Sequence, residues 1–136
     1  MLEGLIQSTT LPLLEQAVNF AQARHNVLAG NIANLDTPGY QARDLSVEDF
    51  QGRLREAIDL QHRRPIASPG ETAVQLSKRL AEASQASKTI LRHDGGNVGL
   101  EQQVTEMVKN QMQHNLALAI MRSQFQLLQV AISERV

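Results

Sequence analysis

Two stretches of this chain space their apolar residues in alternating steps of three and four. The first runs Leu11, Leu14, Val18, Ala21, His25, Leu28, Ile32, Leu35. The second runs Leu100, Val104, Met107, Gln111, His114, Leu118, Met121, Phe125, Leu128, Ile132. A repeat averaging 3.5 residues keeps one stripe on one side of a helix, the pattern of two helices packed along their length. It predicts an all-α fold with long antiparallel helices over 11–35 and 99–133, their seams facing each other. Helical over 100–132, the second would be about 50 Å long. Pro12 is compatible with a first helical turn. Polar members of such seams set register at some cost in stability. With Leu35 near Leu100 and equal rise, residue 25 falls opposite residue 110, so His25 would join Gln111 and His114 in one polar layer.

The second helix carries a further stripe, Leu116, Ile120, Leu127 and Val130, with Ser123 at the missing step. These positions lie away from the first seam, and a helix apolar on two sides must be covered on two sides. The first helix covers one. The middle of the chain is too poor in large apolar residues to cover the other, so a further copy or another protein is expected there.

Between the helices the pattern breaks at Asn31-Ile32-Ala33-Asn34-Leu35-Asp36-Thr37-Pro38-Gly39-Tyr40. Pro38 has no N–H to donate and pushes Thr37 out of the α region. Gly39 can supply the positive φ of a type II turn with Pro at its second position. Asn34 is suited to the left-handed conformation that ends many helices. Gly30, just before, costs about 1 kcal/mol relative to Ala inside a helix, which implies a close approach there.

Past the turn, Gln41-Ala42-Arg43-Asp44 leads into a short helix, with Ser46 as N-cap, Glu48 and Asp49 in the first turn, and Val47, Phe50, Leu54, Ala57 and Ile58 at helical spacing. Residues 61–72 read as a loop, broken by Pro65 and Pro69-Gly70. Leu76, Leu80 and Ala83 permit a helical turn or two, whereas Thr89-Ile90-Leu91 is compatible with a short strand. Asp94-Gly95-Gly96-Asn97 forms a second turn before the last helix. The whole, 1–136, is expected to be one domain: helix 11–35, turn, short helix and loop 36–98, helix 99–133.

Composition narrows the function. Aromatic residues make up 3% of the 136, so packing falls to Leu, Ile, Val, Met and Ala. A net charge of −1 lacks the basic face of a nucleic-acid binder, and the one compact basic cluster, His62-Arg63-Arg64, sits in the expected loop. Without cysteine there is neither disulfide nor thiolate chemistry. The first basic residue is Arg24, so the charged start of a cleavable signal peptide is missing. The longest clean apolar run, Leu116 to Met121, is far shorter than the ~20 residues of a membrane span. Gly95, Gly96 and Gly99 precede a helix without the strand or lysine of a phosphate loop. His25 and His114 lack further metal ligands, and Asp36, Asp44, Asp49 and Asp94 lack an acid–base partner. No catalytic, cofactor-binding or metal-ligating residue is assigned, and no enzyme is expected.

The ten-residue break, with Arg24-His25-Asn26-Val27-Leu28-Ala29 before it and Gln41-Ala42-Arg43-Asp44 and Phe50 after it, resembles the signature of bacterial flagellar rod and hook proteins. Asp94-Gly95-Gly96-Asn97-Val98-Gly99-Leu100-Glu101 and Met107-Val108-Lys109-Asn110-Gln111 resemble the proximal-rod subfamily, which usually has Asn at position 96 and an acidic residue at position 99. The resemblance covers most of 11–60 and 90–132. It implies a structural subunit exported from the cytoplasm by the flagellar type III apparatus and built into the periplasmic rod of the basal body. There it would transmit torque to the hook and filament. The implied partners are further copies of itself, the rod protein FlgC and the adaptor FliE. A cytoplasmic adaptor or regulator of flagellar export, binding a partner helix, is the alternative.

Overall fold

The structure, a computed structural model, describes residues 10–62, 89–91 and 99–133. Its elements are α1 (Leu11–Ala33), β1 (Arg43–Leu45), α2 (Val47–His62), β2 (Thr89–Leu91) and α3 (Leu100–Ser133). The fold is all-α, with long first and last helices and a shorter middle one. Pro12 occupies the first turn of α1, as its missing N–H allows. Ser46 caps α2 by accepting from the Asp49 N–H at 3.2 Å. That helix continues through His62, past the expected loop start at 61.

The strands form a two-stranded antiparallel sheet with Asp44 opposite Ile90. Of the two readings open for Thr89-Ile90-Leu91, the strand is the one found. The expected turn at 94–97, the possible helical turns near Leu76 and Leu80, and the 63–72 loop lie outside the described residues.

The apolar core sits between α1 and the middle of the chain. Phe20 is stacked on Phe50, ring centroids 4.0 Å apart and 6° from parallel, with Leu45 completing the buried group. Leu13 and Ala57 form a second buried group flanked by Leu54 and Ile58. Middle-segment residues therefore cover a second face of α1.

The seam between α1 and α3 differs from the expected one. Ala21, Arg24, Leu28 and Asn31 are buried on α1, and Gln103, Asn110 and Ala117 on α3. On α3 the members Met107, His114, Leu118, Met121 and Leu128 are partly buried, but Leu100, Val104, Gln111, Phe125 and Ile132 are exposed. Each helix is turned by about half a residue step, so 24 and 31 replace 25 and 32, while 103, 110, 117 and 124 replace 104, 111, 118 and 125. Leu14, Val18, His25 and Ile32 are partly buried. The physical reason for the shift is a set of polar ties at the inward positions.

By length and composition α3 is long and apolar enough to cross a membrane. The uninterrupted run Leu116 to Met121 understates this apolar length, because single polar residues break it up. Arg122, Gln124, Gln126 and Gln129 punctuate the apolar half on several sides, and in hydrocarbon each would need a partner.

Candidate functional site

The break after α1 is an elbow built from backbone bonds and side-chain amides. Thr37 C=O accepts from the Tyr40 N–H at 3.1 Å, and Gly39 between them has φ +77°. This is the turn that Pro38 and Gly39 encode. Immediately before it, Asn34 C=O accepts from the Thr37 N–H at 3.0 Å. Asn34 is not left-handed: its φ is −110°. It ends α1 by another route, its Nδ2 donating to the Gly30 carbonyl at 2.8 Å, where its own backbone N–H also donates. The Gly30 carbonyl thus accepts twice, from the last backbone bond of the helix and from a side-chain amide, with no left-handed residue used. An added Cβ at Gly30 would meet nothing within 4 Å, so the expected close approach is not made by the described residues.

Asn31 is the centre of the elbow. It is 2% exposed and uses its whole hydrogen-bonding capacity. Nδ2 donates to the Arg43 carbonyl and to Gln103 Oε1. Oδ1 accepts from the Arg43 N–H at 3.1 Å and from the Tyr40 hydroxyl at 3.0 Å. One side chain therefore ties the end of α1, the turn, β1 and α3. Ile32 is partly buried, whereas Ala33, Asp36, Thr37, Pro38 and Gly39 are exposed and Tyr40 is 39% exposed. The exposed members shape the chain's path; Asn31 and Asn34 hold it.

Two turns earlier on the same face of α1, Arg24 makes a bidentate pair with Asp44, at 2.9 and 2.8 Å, and also donates to Glu106 at 2.9 Å. Lys109 donates to the other oxygen of Glu106 at 3.0 Å. The fork of a guanidinium suits such a junction. The Asp44 hydrogen bond raises the already high Arg24 pKa, keeping the guanidinium charged despite its burial. The Lys109 hydrogen bond, followed by that of Arg24, lowers the Glu106 carboxyl from its ordinary value. Beside this junction lies a cleft of about 380 Å³, lined by Arg24, Asp44, Ser46, Glu48, Glu106 and Lys109 among others. Its two cations and the paired carboxylates already face one another.

Further along the seam, Asn110 Nδ2 donates to the Ala21 carbonyl at 2.7 Å. Residue 21 thus meets 110 and residue 31 meets 103. Residue 25 is then level with about 106–109, within a turn of its expected partner, and about two turns from His114. The expected layer of His25, Gln111 and His114 does not form, since Gln111 points outward. Amides and the Arg24 junction make the polar layer instead. The sequence offered a signal for this: Arg24 and Asn31 are one heptad apart, as are Gln103 and Asn110.

Of the four residues expected to meet a neighbour, Leu116, Ile120, Leu127 and Val130 are all exposed, from 41% to 63%. Leu100, Val104, Val108 and Met112 are exposed as well and continue with Leu116 and Ile120 in an unbroken ridge of four-residue steps. Among the described residues these side chains make a continuous exposed apolar surface along α3.

Comparison with known proteins agrees with the elbow's position. The family of flagella basal body rod proteins matches at residues 13–41, which is α1 and the turn. The chain is 30% identical over 119 residues to the flagellar basal body rod protein FlgB of Escherichia coli, covering 81% of this chain and 83% of that one. It is 31% identical over 107 residues to the FlgB of Aquifex aeolicus, covering 78% of each chain. Against the FlgB of Bacillus subtilis it is 26% identical over 129 residues, 93% of this chain and 95% of the other. The chain belongs to the FlgB family, whose members are structural subunits of the flagellar basal body rod.

Proposed function

We propose that this rod subunit polymerises through its terminal helices, as a single domain, with neighbours covering the outward face of α3. The observation that carries this is the exposed ridge from Leu100 to Ile120, continued by Leu127 and Val130. Each large apolar side chain there gains about 1.5–3 kcal/mol on full burial, and a subunit of a rod has other subunits to bury it. Protein rather than lipid covers this face, because Arg122 and the glutamines interleaved with it need polar partners.

The setting we propose is the periplasmic part of the basal body, reached through the flagellar type III export apparatus. Further copies of the chain, FlgC and FliE are the neighbours, and torque passes through the side-by-side helices to the hook. The role is structural and not enzymatic. The test is to substitute Ile120→Asp and Leu127→Asp separately in a motile cell. Export continues in the expected result, while purified basal bodies lack the substituted subunit. Normal incorporation of both variants overturns the reading.

A further inference from the structure

We propose that Gln103 and Asn110 act as a rotational lock, holding α3 so that its apolar positions stay outside the hairpin. The inference rests on the reading that a neighbouring copy covers that outward face. Its starting point is the disagreement between the most apolar heptad pattern of α3 and the seam actually made. Met107, His114, Met121 and Leu128 belong to both. The remaining inward positions are Gln103, Asn110, Ala117 and Gln124; one residue further on stand Val104, Gln111, Leu118 and Phe125. A rotation of about 50°, half the angle between successive helical residues, would exchange the two sets.

Hydrophobic burial alone favours the exchanged seam, since Val104 and Phe125 would leave water. The observed seam is chosen by polar fit. Gln103 and Asn110 are 3% and 2% exposed. Gln103 accepts from Asn31, and Asn110 donates to the Ala21 carbonyl. Glu106, between them on the same face, accepts from Arg24. All three ties lengthen or break if α3 turns. Buried amides in helix seams are known to fix register and partner choice at a cost in stability. Here the fixed quantity is rotation, and what it protects is the face left for assembly.

The chain contains no cysteine, so single introduced thiols can report the rotation. The full-length subunit is labelled with a maleimide after Ala117→Cys or, separately, Phe125→Cys. In the otherwise unsubstituted chain the thiol at 125 reacts severalfold faster than that at 117. In a Gln103→Ala, Asn110→Ala background, which removes both amides without adding a large apolar side chain to the observed seam, this order reverses, and the same background loses incorporation into the rod. An order that does not reverse, or two sites that react equally in the unsubstituted chain, overturns the lock whatever happens to assembly. Reversal with normal incorporation upholds the lock and overturns the reading that the outward face is where a neighbour docks.

Discussion

The Tyr40 hydroxyl donates to Asn31 Oδ1 across nine residues of chain, at 3.0 Å, closing the turn back onto the helix it leaves. The two ends of this bond are unequal. Tyr40 is 39% exposed and can turn to water, whereas Asn31 is buried and also serves Arg43 and Gln103. Tyr40→Phe is expected to cost about 0.5–1.5 kcal/mol, one net hydrogen bond. Asn31→Ala strands the buried Gln103 amide, at about 1–3 kcal/mol, breaks both bonds to the Arg43 backbone as well, and costs more. Urea unfolding of both variants, followed by circular dichroism, gives the comparison; equal losses would show that the four bonds of Asn31 do not act together.

Gly39→Val is expected to destabilise the elbow by about 1–2 kcal/mol, because φ there is +77°. Among the described residues no atom lies within 4 Å of the added Cβ, so the cost is conformational rather than steric crowding. Gly39→Asn should therefore recover most of the loss. At Gly30 the helix is regular and the space open, and Gly30→Ala is expected to raise stability by up to about 1 kcal/mol. Thermal unfolding of the three variants checks both signs.

Glu106 makes the fold sensitive to acid. Its carboxyl is held below the ordinary carboxylate range by hydrogen bonds from Lys109 and then Arg24, so the folded chain binds protons less readily than the unfolded one. The stabilisation is fully present above that ordinary range and is lost as pH falls through the lower folded-state value. Urea midpoints measured from about pH 5 downward should fall more steeply for the parent than for Glu106→Gln. Parallel curves would show that the junction is not the acid-sensitive element.

In dilute monomer the two halves of α3 are expected to differ in hydrogen exchange. Amides around Gln103 to Ala117 lie on the tied seam, whereas those from Ile120 to Ile132 carry exposed apolar side chains whose ordering is not repaid by burial. Strong protection through Ile132 in verified monomer would mean that the helix needs no neighbour to order.

The parts of this fold written in local chemistry were readable from the chain. Pro38 and Gly39 specify their turn and Ser46 its cap, each within a few residues. The rotation of the seam escaped a count of apolar residues, which ranks Val104 above Gln103; the heptad spacing of Arg24 with Asn31 and of Gln103 with Asn110 carries it only when polar residues are counted as well. Asn34 likewise looked like a backbone device and proved to be a side-chain one. The β1–β2 pairing joins three-residue segments more than forty positions apart, and neither shows a two-residue alternation long enough to announce it. On the candidate interface the outward stripe was legible, but its continuation through Val108 and Met112 was not, since those positions fall outside both expected stripes.

Arg24 and Asn31 lie seven residues, about 10 Å, apart on α1, and each grips both β1 and α3. A beam joined to its neighbours at one point can pivot there; joined at two, it resists as a couple. Tilting α1 about a point between them therefore loads the Asp44–Glu106 junction and the Arg43–Gln103 junction in opposite senses, and the two together hold its angle. The hairpin meets tilting as a braced frame, stiff at the elbow even though its interior there is largely amide and ion pair.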